Sequence, residues 1–437
     1  MSKWPNPRLS RRRVLRVAGL SALLAGCGTG PAGRSTQEIE FWHLLTGGDG
    51  ERMNQIVTKA DADMPQARIK QVVLAWGAPY YTKLAMSAAG GRSPDLGIAH
   101  MSRLAGYAPG GLLDPWDLNR LARYGVSQST FTAPAWKNSI VNGKVYALAL
   151  DSHAFVIFFN TDLAGKAGLL DSGGKLPPIK SLDEMKRLGT EFKKLTGNQY
   201  GLAFGFLGDG AQLWRLFWTF YSQHGATFDL SGDRFVYDAE AFSESVETMR
   251  SLVDGQVAST SAEYANASSA FLNGDVGLVL SGVWELPQYQ DAKMPLGAMP
   301  IPNMFGTGID AAWGDSHTFV LPHQSNPDEE RRELAYEAVS RILKGSLSWG
   351  HAGHTPAFQP VVNTPEFKAL RPNNDYAATA SYLHYDPPAS FTGSGSNFMT
   401  QFGSSIQNAL IGQTSVKDAV AGFAERVNVL MSQAVKR

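Results

Sequence analysis

Between residues 38 and 100 the chain changes hydrophobic period four times, and this most narrows what it can fold into. Glu38-Ile39-Glu40-Phe41-Trp42 alternates polar and apolar residues, as a short strand does. A glycine-rich turn, Thr46-Gly47-Gly48-Asp49-Gly50, leads into a helix expected from Glu51 to about Ala62. Arg68 to Leu74 reads as a second strand, Tyr80 to Ala89 as a second helix and Leu96 to Ala99 as a third strand. Strands that alternate with helices of this length pack as an α/β domain around a parallel sheet.

The pattern continues less regularly. Asn142-Gly143 is a two-residue hairpin signal. After it, Val145 to Leu150 is apolar, Asp151-Ser152-His153 interrupts, and Ala154 to Phe159 resumes an apolar strand. Polar residues between two apolar strands suit a chain crossing between lobes. Ser181 with Glu184 forms a capping-box signal for a helix reaching Leu195. Trp214 to His224 is an aromatic helix, Ala270 to Asn273 ends another, and Val276 to Leu280 and Thr318 to Leu321 are strands. Helices at Glu329 to Leu343 and Val416 to Val435 complete the reading.

The first 26 residues read differently. Arg11-Arg12-Arg13 opens a basic segment, Val17 to Leu24 is apolar, and Leu24-Ala25-Gly26-Cys27 follows. This order matches a signal peptide of lipoprotein type, 1–26, cleaved before a lipid-bearing Cys27. The arginine pair resembles a twin-arginine export signal, with Val14 where Phe is more usual. Residues 27–37 read as a flexible tether. Cys27 is the only cysteine, so no disulfide, thiol nucleophile or cysteine metal site is expected. Export to the outer face of the cytoplasmic membrane, held by the lipid alone, follows as the expectation.

Charge excludes some partners. Removing the six basic residues of 1–26 from 39 leaves 33 against 39 acidic ones, a balance near −6. That argues against nucleic acid. Ten tryptophans and fourteen tyrosines supply flat faces of the kind that pack on pyranose rings, although large rings also dominate cores.

The order of segments resembles the family 1 extracellular solute-binding proteins of ABC importers, the group that includes maltose- and glycerol-phosphate-binding proteins. The resemblance is carried by Phe41-Trp42-His43, Tyr81-Thr82-Lys83-Leu84, Gly90 to Asp95, Gly111 to Asp117, Asn142 to Tyr146, Phe159 to Leu163, Ala270 to Val276, Ser281 to Trp284 and Gly353 to Ala357. It implies a two-lobed α/β fold of the periplasmic-binding-protein kind, with a ligand cleft between the lobes and several hinge crossings. It also implies a monomer that binds without chemistry and delivers its ligand to two permease subunits driven by a cytoplasmic ATPase pair. On this reading one lobe takes 38–150 and 316–360, and the other 151–315 and 361–437. The departures, Trp76 and Ala78-Pro79 before the second helix and Ile179-Lys180-Ser181 before the helix at Leu182, leave the ligand open.

Candidate ligand contacts are polar or aromatic residues at strand ends and crossings. They are Trp42, His43, Trp76, Ser102 and Arg103; Asp151 and His153; Asp209; Trp284 and Glu285; Trp313, Gly314 and Asp315; and Ser394. A buried carboxylate such as Asp151 accepts from paired sugar hydroxyls, or it holds a hinge. With Arg103 the one basic residue placed near the cleft, a neutral or amino-bearing mono- or oligosaccharide is favoured. A glycerol phosphate or its diester, a polyamine or peptide, and a glycoside-cleaving enzyme are the alternatives. No cofactor is expected and no metal either, because His351 and His354 have no further ligands at useful sequence spacing.

Overall fold

The computed structural model describes residues 37–434, so the expected signal peptide, 1–26, and the expected lipid site Cys27 lie outside the described residues. Strand β1 (Gln37–His43) lies between β2 (Ala67–Val73) and β3 (Leu96–His100), parallel to both. Helix α1 (Gly47–Ala62) joins the first pair and α2 (Ala78–Ala89) the next, with Pro79 in the first turn where its missing N–H costs nothing. The βαβ reading therefore stands, with one shift: α1 starts at Gly47, so the glycines form its first turn instead of a separate loop.

The sheet is not purely parallel. His317–Pro322 returns from the distal part of the chain and pairs antiparallel with β3, from His317 opposite His100 to Val320 opposite Gly97. Ala147–Ala149 pairs antiparallel on its other side. The core of this lobe draws on residues between Ile39 and Leu150 and between Phe319 and Val361.

A second mixed sheet is organised by one ten-residue strand, Asp151–Asn160, all of it buried. Leu278–Gly282 and Leu296–Pro300 flank it, both antiparallel. Ala312–Asp315 and Thr355–Pro356 pair with its first residues. The aromatic helix Gly210–Gln223 packs behind this sheet, with Trp214, Phe217, Phe220 and Tyr221 fully buried against helices Asn397–Leu410 and Ala239–Leu252. Asp151-Ser152-His153 was expected to interrupt the strand; it belongs to it. These polar residues stay in the ladder because their side chains find partners inside the protein.

Local signals are realised with small changes. Asn142 and Gly143 take φ 49° and 75°, as a tight hairpin turn between Ile140–Val141 and Lys144–Val145 requires. Ser181 caps Leu182–Thr196 by accepting from Glu184 N, while the Glu184 carboxylate accepts from Lys180 N instead of Ser181 N. No helix among the described residues is long and apolar enough to cross a membrane.

The chain passes between the two sheets where Leu150 meets Asp151 and again where Asp315 meets His317. Leu150 N donates to His317 O at 2.8 Å, and Ala357 N donates to Leu150 O at 3.0 Å. Three extended segments thus lie side by side at the crossing.

Candidate functional site

A cavity of about 480 Å³ opens between the two sheets, within the range usual for small-ligand sites. One wall comes from the loop after β1 and the first turn of α1, Leu44 to Asp49, with Trp76, His100 and His317. The facing wall is His153, Asp209, Ala211, Arg215, Tyr264, Trp284, Glu285, Pro287 and Gln288.

Two helices point their N-termini at this space. Asp209 caps Gly210–Gln223, its Oδ1 accepting from Ala211 N and Gln212 N at 3.0 Å each. Thr46 precedes α1 without a side-chain cap, so the first N–H groups of α1 are left to other acceptors. Glycine is required in that turn by proximity. A Cβ on Gly48 would stand 2.6 Å from Pro287 Cβ across the cavity mouth. A second close approach lies outside the cavity lining, where a Cβ on Gly395 would stand 2.7 Å from Gly77 Cα. Gly48→Val is expected to hold the walls apart. Calorimetry should show weaker ligand binding, while the unfolding free energy changes by no more than about 0.5 kcal/mol, as for a surface substitution.

Arg215 is the central cation. It is 8% exposed and lies 4.5 Å over the Trp284 ring, 5.0 Å over Trp313 and 5.8 Å from Trp76. Nη1 donates to Gln212 Oε1 at 3.0 Å, and Nε is buried without a partner. Beside it Tyr264 donates its hydroxyl to Glu285 Oε1 and accepts from Trp284 Nε1 at 3.0 Å. Ser268 donates to Glu285 Oε2 at 3.2 Å. Burial raises the Glu285 pKa, and the Tyr264 and Ser268 hydrogen bonds oppose it.

Of the residues singled out in the sequence, Trp76, His153, Asp209, Trp284 and Glu285 line the cavity. The others do not. Trp42 faces an outer groove with Pro79 and Met86, its Nε1 on Glu40 and Lys83 above its ring. His43 is buried, bonded to Gln71 and the Leu45 N–H, and burial pushes its pKa down to about 4. Ser102 and Asp315 satisfy each other: Ser102 donates its N–H at 3.1 Å and its hydroxyl to the carboxylate. Burial, reinforced by Asp386, lifts the Asp315 pKa to about 8. Ser394 reaches Ser102 through its N–H. Gly314 sits inside the sheet, where a Cβ would meet His153 O at 2.7 Å. Trp313 is 1% exposed, with Nε1 on Asp386 Oδ1 at 2.9 Å, and backs Arg215.

Two corrections concern charge. Arg103, expected near the cleft, packs over Tyr81 and Tyr107 and donates to Thr392 O, away from the cavity. Asp151 is fully buried and belongs to the crossing. It accepts from Trp349 Nε1 at 2.6 Å and from His317 N at 2.9 Å, and it faces His317 Nδ1 at 2.8 Å and His153 Nδ1 at 3.1 Å. All these partners lie within the protein, as the hinge-holding reading expects, and Asp151 does not line the cavity. His354 completes the cluster. Burial alone would depress its pKa, but Asp49 and Asp151 override this and raise it to about 10.

Sequence reading missed Asp49, His100, Arg215, Tyr264 and Gln288. An arginine inside the apolar run Trp214-Arg215-Leu216-Phe217-Trp218 was the available signal, since a charge in a helix buried all round needs a partner.

A two-lobed α/β protein with one polar, aromatic-walled cleft at its chain crossings is a receptor for a small solute. Residues 51–340 match the family described as bacterial extracellular solute-binding protein, and the chain belongs to that family. Its members bind solutes for import and are not enzymes. The arabinooligosaccharide-binding protein of Bacillus subtilis is 22% identical over 375 residues, covering 82% of each chain. The maltotriose-binding protein of Pyrococcus abyssi is 22% identical, covering 79% of this chain and 70% of its own. The GacH receptor of Streptomyces glaucescens superposes with a TM-score of 0.75 at 18% identity, covering 91% of this chain and 99% of its own. At that identity the structural likeness speaks for the fold.

Proposed function

We propose that this protein captures an oligosaccharide, neutral or amino-bearing, in the cleft between its lobes and passes it to the membrane subunits of an ABC importer. The observation that carries this is Trp76 and Trp284 on opposite walls of a cavity otherwise lined by Asp49, Asp209, Glu285, Gln288 and Arg215. Indole faces take the apolar C–H faces of sugar rings, and carboxylates and amides take their hydroxyls. The sugar-binding relatives support the same ligand class. The lobes are divided as 38–150 with 316–360 and 151–315 with 361–437, and Cys27 carries the lipid that keeps the receptor near its permease.

One feature favours a second reading. Arg215 and the uncapped start of α1 are suited to an anionic group, which a glycerophosphodiester would bring. A thermal-shift screen against arabino- and malto-oligosaccharides, amino sugars and glycerophosphodiesters separates the two. A ligand at about 100 times its Kd stabilises by roughly 2.7 kcal/mol. A saccharide is expected to give that shift. Trp76→Ala and Trp284→Ala should each weaken it about tenfold, the worth of one aromatic stacking contact of about 1.4 kcal/mol. A shift with the phosphodiester alone would replace the saccharide reading.

A further inference from the structure

The crossing gathers more nitrogen and oxygen donors than a hinge needs. Asp151, His153, His317 and His354 are each at most 5% exposed, and one donor atom from each falls within a set no more than 4.8 Å across. Asp151 and His153 come from the first crossing, His317 from the return and His354 from the third segment, so the fold brings together residues far apart in sequence.

We propose that these four side chains form a binding site for a divalent first-row transition ion, with zinc the best match. Three imidazoles and one carboxylate are the ligand types and number of a closed tetrahedral zinc site. Calcium and magnesium, which want six or more oxygens or retained water, fit poorly. The three histidine Nδ1 atoms lie 2.8, 3.0 and 3.1 Å from Asp151 oxygens, close to the separation of neighbouring ligands around one ion.

Two further observations point to a ligand. His354 Nδ1 is fully buried and aligned with no hydrogen-bond partner, although Asp151 Oδ2 is 3.0 Å away. On the far side of the ring, His354 Nε2 faces Asp49 Oδ1 at 3.1 Å. A carboxylate behind the outer nitrogen is the arrangement that orients metal-bound histidines. Trp349 Nε1 and His317 N hold the Asp151 carboxylate in the same way. A divalent ion would balance the carboxylates of Asp49 and Asp151 in place of the proton on His354, which metal binding releases. The ion would tie the crossing segments together directly beneath the cavity, which His153 and His317 also line. The inference does not depend on what the cavity binds.

The test is titration of the chelator-stripped full-length chain with Zn²⁺, followed by elemental analysis after gel filtration. One zinc per chain is expected. Co²⁺ should give the intense visible bands of a tetrahedral ion. His354→Ala should abolish both, with near-UV circular dichroism reporting that the aromatic core is intact. His153→Gln is the second variant should His354→Ala not fold. Asp49→Asn should weaken zinc about 10- to 100-fold. Substoichiometric zinc in the wild type, a weak octahedral Co²⁺ spectrum, or equal uptake by folded His354→Ala and His153→Gln would overturn the site and leave a hydrogen-bonded hinge cluster.

Discussion

Arg215→Ala is expected to weaken ligand binding by about 100-fold, the largest effect of any single change in the cleft. The guanidinium is nearly buried and stacked against Trp284 and Trp313, with an unpaired Nε at the cavity wall. The two indoles hold the guanidinium in place before a ligand arrives, and a hydrogen bond from a charged donor to the ligand is worth about 1.5–3 kcal/mol. A loss of about 2.8 kcal/mol, near the top of that range, is two decades in Kd. Arg215→Lys discriminates charge from shape. Lysine keeps the charge but cannot lay a planar fork on two indoles, so it should stay at least about tenfold weak. Calorimetry with whichever saccharide the screen identifies supplies the measurement. An alanine variant that binds within threefold of the wild type would make Arg215 a packing residue only.

Asp151→Ala is expected to be the most destabilising single substitution at the crossing, by about 3–5 kcal/mol, the usual cost of removing one partner from a buried charged cluster. The carboxylate accepts from Trp349 Nε1 and His317 N and lies within 3.1 Å of the Nδ1 of His153, His317 and His354. Alanine would strand those donors in a dry interior. Asp151→Asn keeps the shape and one carbonyl acceptor, so it should lose less. Urea unfolding followed by near-UV circular dichroism, with chelator in every sample, separates this effect from any contribution of bound metal. An alanine variant that unfolds at the wild-type urea concentration would show that the crossing does not depend on this carboxylate.

How far these sites could be read from the sequence depended on how local their causes were. The βαβ start, the Asn142-Gly143 turn and the Ser181 cap are settled by neighbours within a few residues, and the periodicity located them within a residue or two, the start of α1 excepted. Trp76, Asp209 and Trp284 were legible as cleft residues because they stand at element ends, where α/β folds place ligands. Asp151 was legible as special, with a ligand role and a hinge role both open. Its partners, His317, Trp349 and His354, come from more than 160 residues away, and no spacing rule brings them in. The same distance hid the histidine cluster: His351 and His354 looked like an isolated pair because the ligands that complete the set lie on other strands. Arg215 was passed over because the helix around it reads as core, which it is; its buried Nε is left without a partner there.

The cavity mouth carries a consequence for the thermodynamics of capture. Where the walls meet, Gly48 stands against Pro287 with no room for a Cβ between them. Glycine and proline have no rotamer freedom to surrender, whereas a long side chain at such a contact forfeits up to about 2 kcal/mol when it is immobilised. Shutting the mouth at this point therefore freezes backbone that the helices Gly47–Ala62 and Leu286–Asp291 already hold, and little disorder is lost. The less that closure costs, the more of the ligand's contact energy appears as measured affinity.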